Sequence, residues 1–244
     1  MAMRNKASRL VLLIPCFMYL IFYVDRVNIS TAAPFMQKDL GLTATQLGLA
    51  FSAFAYPYAF FQIAGGWLGD RLGPRVTLAL CGILVGLSTI WTGFVGGLAA
   101  LFLSRLALGI GGGPAFPTAP RALANWMRPD QRAFAQGITH AFSRAGNALT
   151  PPLIAMIVVS FSWRDSFIFL GAAALIWSAV WFIYFRDDPR THSQITPDEL
   201  TGLPPATVVA TRKSVPWGPL LKRIMPVTAT DFCYGWILWL YLNW

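Results

Sequence analysis

The sequence predicts an all-α membrane protein: a bundle of six transmembrane helices followed by a partial seventh. Three observations carry this. The 244 residues are 56% hydrophobic and only 12% charged, against roughly 25% charged in a soluble domain, and mean hydropathy is positive. Six stretches are long and apolar enough to span a bilayer, which takes about 20 residues each. The basic residues fall in alternate connections, as the positive-inside rule requires.

The first apolar run, Leu10 to Met36, continues past any plausible cleavage site, so it reads as a true span and not a signal peptide. Further spans follow at Thr45 to Leu68, Val76 to Phe94, Leu98 to Trp126, Ala133 to Phe161 and Trp163 to Phe185. Residues 186–224, rich in Pro, Thr and charge, read as a central cytoplasmic loop, with "TPDEL" starting a short helix at Thr196 or Pro197. A seventh run begins near Met225 and reaches Trp244 with no basic flank after it. The expected organisation is therefore a bundle over 1–185, a loop over 186–224 and a truncated seventh helix over 225–244.

Arg4, Lys6, Arg9, Arg71, Arg75, Arg121, Arg128, Arg132, Arg186, Arg190, Arg212, Lys213, Lys222 and Arg223 fall on one side, and Lys38 and Arg164 on the other. The N-terminus is thus expected in the cytoplasm. The net charge of +9 then reports topology, not a nucleic-acid partner. Cys16, Cys81 and Cys233 all lie in apolar runs without paired spacing, so they suggest neither disulfides nor a metal site. No Ser-His-Asp set, zinc helix or catalytic carboxylate pair is visible, and the reading is non-enzymatic, with no cofactor. "GIGGGPAFPTAP", residues 109–120, lacks the strand and the Lys-Ser or Lys-Thr ending of a phosphate loop. It reads as close helix packing, with bends at Pro114 and Pro117.

Charges inside a span cost several kcal/mol and usually face a cavity or one another. "LIFYVDRVNIS", residues 20–30, places Asp25 beside Arg26 in the first span. Tyr19, Tyr23, Arg26 and Ser30 share one helical face, and Asp25 is offset by about 100°. Tyr58 and Gln62 share a face of the second span. Arg105 lies in the fourth, and Gln136, His140, Arg144 and Asn147 form a polar stripe on the fifth. Each has a plain structural alternative: a self-neutralising Asp25–Arg26 pair, helix-tethering by Arg105, a satisfied interior His140, and packing for Tyr58 and Gln62. Together, three arginines against Asp25, even with Asp231 from the seventh run, leave a positive interior suited to a carboxylate or phosphate.

"GGWLGDRLGPR" after the second span is similar to the signature of the major facilitator superfamily, through Gly66, Asp70, Arg71, Gly73 and Arg75. In physical terms, Gly66 and Gly69 permit close helix approach, while Asp70, Arg71 and Arg75 make a charge latch at the cytoplasmic surface. "RLALGIG" resembles the superfamily's signature on its fourth helix. "YVDRVNIS", "FSAFAYPYAFFQIAGGW", "GPAFPTAPR" and "WRDSFIFLGAAALIWSAVWFIYFRDDP" resemble the anion:cation symporter branch, carriers of sugar acids and other organic anions.

The resemblance implies the N-terminal half of a twelve-helix carrier in a bacterial inner membrane, monomeric when complete, lacking here its C-terminal six-helix half. It implies substrate contacts from Tyr23, Arg26 and Tyr58, to which the polar faces add Gln62, Arg105, His140, Arg144 and Asn147. It also implies a proton site at Asp25 linked to Arg105, with Asp231 as a second candidate and the proton gradient as energy source. Many members carry a glutamate where this chain has Gly112. The expected function is proton-coupled symport of an organic anion by alternating access. Export of drugs or metabolites and a truncated, non-transporting membrane protein are the alternatives.

Overall fold

A computed structural model describes residues 6–196, 200, 203 and 217–243. The chain divides into two compact units, Met1–Ala206 and Thr207–Trp244, each described by itself. The first unit holds α1 (Lys6–Leu40), α2 (Ala44–Gly93), α3 (Leu98–Gly112), α4 (Ala115–Trp126), α5 (Arg132–Ser160) and α6 (Trp163–Tyr184). The second holds α7 (Trp217–Asn243), which starts ahead of the apolar run at Met225. Of the loop helix expected at Thr196 or Pro197, residues 197–199 lie outside the described residues. Beside them, the Leu200 N–H donates to the Thr196 carbonyl.

Among the described residues, five helical stretches are long and apolar enough to cross a membrane, where the sequence predicts six spans. The difference is α2, whose 50 residues would run about 75 Å if straight, far beyond a ~30 Å hydrocarbon core. It is two spans joined at Gly73, whose φ of 78° and ψ of 156° break the helix ahead of Pro74. Neighbouring glycines show that the limbs run side by side. A Cβ on Gly109 of α3 would touch Phe54 and Pro57 of the first limb, and one on Gly111 would touch Leu84 and Val85 of the second. Both limbs thus meet one turn of α3, as a hairpin requires.

Local chemistry sets the ends. Thr43 caps α2 in a full capping box with Gln46, each side chain bonding the other's backbone N–H. The fourth span is divided at Gly113–Pro114 into α3 and α4, which places the bend at Pro114 as expected. Pro117 causes no second break because it falls in the first turn of α4, where a backbone N–H has no helical partner to lose. Behind these helices a core of Met18, Tyr19, Phe22, Leu78, Val85, Leu108, Trp126, Trp177 and Trp181 joins α1, the second limb of α2, α3, α4 and α6.

Polar clamps close both ends of the bundle. At one, Arg164 of α6 pairs with Asp39 of α1 at 2.9 Å and donates to the carbonyls of Gly93 and Val95. At the other, the segment after α6 folds back. Asp187 accepts from the Arg75 backbone N–H at 2.9 Å, its carbonyl accepts from Asn125, and the Arg186 carbonyl accepts from Trp126 Nε1 at 2.8 Å.

Gly73 is the residue on which the hairpin turns. A Cβ there would be strained by the left-handed φ, a penalty of about 1–2 kcal/mol, and would lie 2.7 Å from Asp187 Oδ2. We expect Gly73→Ala to lower the melting temperature of the purified protein by several degrees. Gly66→Ala, at a position with nothing within 4 Å, should leave it unchanged in the same thermal scan.

Candidate functional site: an arginine-bearing recess

One recess gathers residues from four helices: Tyr23, Asp25 and Arg26 of α1, Phe54 and Tyr58 of α2, Gly112 of α3, and Phe116 of α4 among its lining. Helical phase explains the arrangement. Tyr23 and Arg26 lie three apart on α1, and Phe54 and Tyr58 four apart on α2, so each pair presents one face. The Arg26 guanidinium lies over three rings, 4.6 Å from the centroid of Tyr58, 5.1 Å from Phe54 and 5.7 Å from Tyr23. Such cation–π contacts hold a cation without neutralising it. The Tyr58 hydroxyl also hydrogen-bonds Arg26 and Gln62. Phe116 packs edge-on against Tyr19, Tyr23 and Tyr58 and closes one side of the recess.

Asp25 and Arg26, adjacent in sequence, turn to different surroundings. Asp25, 3% exposed, accepts a hydrogen bond from Thr89 at 3.0 Å and is attracted by Arg105. Its Oδ1 is buried and makes no hydrogen bond among the described residues. Arg105, 2% exposed, donates to Thr92 Oγ1 at 2.7 Å, lies over the Phe167 ring, and does not line the recess. Thr92 in turn meets Ser104 at 3.2 Å. A polar layer thus ties α1, α2 and α3 together deep in the bundle. Beside it, Ser166 of α6 donates to Asn28 of α1.

The stripe on α5 stands apart from the recess. His140 and Arg144 are exposed, His140 against the Tyr19 ring. Gln136 accepts from Thr139, and the buried Asn147 Oδ1 makes no hydrogen bond among the described residues. Asp231 is exposed on α7, in the second unit. Of the predicted substrate and proton residues, the structure brings together Tyr23, Asp25, Arg26 and Tyr58, with Gln62 bonded to Tyr58 and Arg105 behind Asp25.

The signature loop differs in detail from the expected latch. Asp70 pairs with Arg121 of α4, and neither Arg71 nor Arg75 is its partner. Arg71 lies over the Trp67 ring at 4.7 Å. Arg75 serves a second joint at the same end, donating through Nε to the Phe182 carbonyl and through its backbone to Asp187. Close packing falls to Gly65, against Pro114, and Gly69, against Thr118, while Gly66 faces open space. The shift from Gly66 to Gly65 is one residue, or about 100° of helix.

The comparisons with known proteins agree with this fold. The family profile of the Major Facilitator Superfamily matches residues 16–244. The chain belongs to that superfamily. It is 47% identical over its whole length to a protein of Cupriavidus necator named as a probable sulfoacetate transporter, of which it covers 57%. It is 34% identical over 224 residues to the hexuronate transporter of Bacillus subtilis, covering 92% of this chain and 52% of the relative. Against the D-galactonate transporter of Escherichia coli the identity is 38% over 180 residues, 74% of this chain and 42% of the other. The chain therefore spans about half the length of the curated relatives it matches. Among solved structures, an inward-facing, occupied bacterial homologue of the human lysosomal transporter Spinster superposes with a TM-score of 0.68 at 25% identity, over 78% of this chain and 47% of that one.

Asp187, missed by sequence reasoning although quoted in "FRDDP", supplies a test of the loop. Half-burial raises its carboxyl above the usual carboxylate range, and the Arg75 N–H and the charges of Arg75 and Arg121 offset only part of this. A raised value in the folded state means that the group favours folding below its unfolded pKa and loses that contribution as pH rises through the folded value. The charged form therefore carries a cost near neutrality. Asp187→Asn keeps an acceptor for Arg75 without the charge. Its melting temperature relative to the unsubstituted protein should be highest near about pH 8 and should converge below about pH 4. A thermal scan across pH checks this, and a pH-independent difference would leave Asp187 a hydrogen-bonding role alone.

Proposed function

We propose that this chain is the N-terminal half of a proton-coupled symporter that carries an organic anion, a sugar acid or another small carboxylate or sulfonate, into a bacterial cell. The carrying observation is Arg26: a guanidinium framed by Tyr23, Phe54 and Tyr58 on an open recess, with Asp25 beside it. Arginine's planar fork matches a carboxylate or sulfonate, and the rings orient it without consuming its charge. The sulfoacetate, hexuronate and galactonate names of the relatives support an anionic substrate.

In this mechanism the anion docks on Arg26, with the Tyr58 hydroxyl and Gln62 as polar neighbours. Asp25 holds the coupled proton, its free Oδ1 being the acceptor, and Arg105 with Thr89 holds Asp25 in place. The exposed His140, Arg144 and the neighbouring Asn147 face the second half of the central cavity. A complementary six-helix half completes a monomeric carrier in the inner membrane, with the N-terminus and the Asp70–Arg121 end cytoplasmic. That end joins the halves in one access state and releases them as they rock. No cofactor is required, because the proton gradient supplies the energy.

The test is uptake of labelled sugar acids and short sulfonated acids into proteoliposomes with an inward proton gradient, comparing the complete carrier with the 244-residue chain. We expect uptake by the complete carrier alone, abolished by a protonophore and reduced at least about tenfold by Arg26→Ala. Asp25→Asn should abolish gradient-driven accumulation while retaining exchange of internal for external anion. Normal accumulation by Asp25→Asn would remove Asp25 from the coupling step.

A further inference from the structure

The glycines ahead of the break in the fourth span are not equivalent. A Cβ on Gly109 would lie 2.5 Å from the Phe54 carbonyl oxygen, one on Gly111 2.8 Å from Leu84 Cβ, and one on Gly113 2.8 Å from the Tyr58 carbonyl oxygen. At these positions neighbouring helices come too close for any side chain. Gly112 is buried like them, yet a Cβ there would meet nothing nearer than Tyr58 Cδ2 at 3.8 Å and Phe54 Cε2 at 4.0 Å. Those are ordinary van der Waals separations. Packing therefore does not demand a glycine at this position.

The space beside Gly112 is the recess that Arg26 lines. Its nearest neighbours are also two of the three rings that hold the guanidinium. A longer side chain at 112 would have only two places to go: into the recess, or against Tyr58 and Phe54 and so against the seat of Arg26. We propose that Gly112 is a specificity-determining residue, whose missing side chain sets the largest anion that can sit beside Arg26. The inference rests on the transport reading above and adds to it a size limit. A six-carbon sugar acid needs the volume that Gly112 leaves open, and a two-carbon anion does not.

Two measurements test this. In the purified 244-residue chain, Gly112→Ala should melt with the unsubstituted protein, while Gly109→Ala and Gly111→Ala should melt several degrees lower. In the complete carrier, Gly112→Leu should reduce uptake of a six-carbon sugar acid by about tenfold or more and change uptake of a two-carbon carboxylate or sulfonate by less than about twofold, the scale on which pocket volume discriminates between substrates. The inference is overturned if Gly112→Ala destabilises as its neighbours do, because the glycine then serves packing. It is equally overturned if Gly112→Leu leaves the ratio of large to small anion uptake unchanged, whether both persist or both fall. If the unsubstituted carrier moves neither anion while Gly112→Ala melts normally, the transport reading fails and takes the size role with it.

Discussion

A bilayer offers an isolated charge no partner, and Arg105 is the group on which this constraint presses hardest. Its guanidinium is buried among helices that are otherwise almost wholly apolar, so the bundle must supply what water would. It does so with hydroxyls: Thr92 accepts directly, and Ser104 and the Ser88 carbonyl hold Thr92 in turn. Asp25 supplies the opposite charge from α1, itself held by Thr89. Holding this one arginine, whose Nε makes no hydrogen bond among the described residues, therefore fixes the mutual positions of α1, the second limb of α2 and α3. These elements also frame the recess, so the geometry around Arg26 depends on a cluster it does not belong to.

The fold was legible in the sequence because the bilayer makes length and composition decisive. Apolar runs of about 20 residues permit few alternatives, and the six expected spans recur, two of them joined through Gly73. Sequence periodicity also placed Tyr23 with Arg26, and Tyr58 with Gln62, because phase within one helix follows from spacing alone. Relations between helices were harder to read. Nothing in spacing says that Asp25 would turn to Thr89, that Asp70 would select Arg121, or that Arg105 would sit behind the recess instead of on its wall. The residues missed were hydroxyls and rings, Thr89, Thr92, Phe54 and Phe116, types too common in apolar spans to stand out. Sharing a face with a charge on a facing helix was their only signal.

The α5 stripe illustrates the same limit. Its polar period reads as inward-facing, and the intervals are those of a helix face, but a face has a direction only relative to neighbours. In this chain His140 and Arg144 are exposed, while small residues of α5 such as Gly146 pack against α1. The stripe lies about 100° round the helix from the packing face, with His140 reaching α1 at the Tyr19 ring.

The end of the bundle near Gly73 is built from two kinds of joint. Asp70–Arg121 joins ionised, largely exposed groups, with 63% of the Asp70 side chain open, and a mobile ion atmosphere screens such a pair. The segment after α6 is fastened mainly through backbone groups: the carbonyls of Arg186 and Asp187 and the N–H of Arg75. Only the Asp187 carboxylate among these carries a charge, so dissolved salt has little to act on. One joint is thus open to screening, and the other binds the ends of α4, α6 and the second limb of α2 into a single truss. In mechanical terms, this end carries a catch mounted on a welded frame.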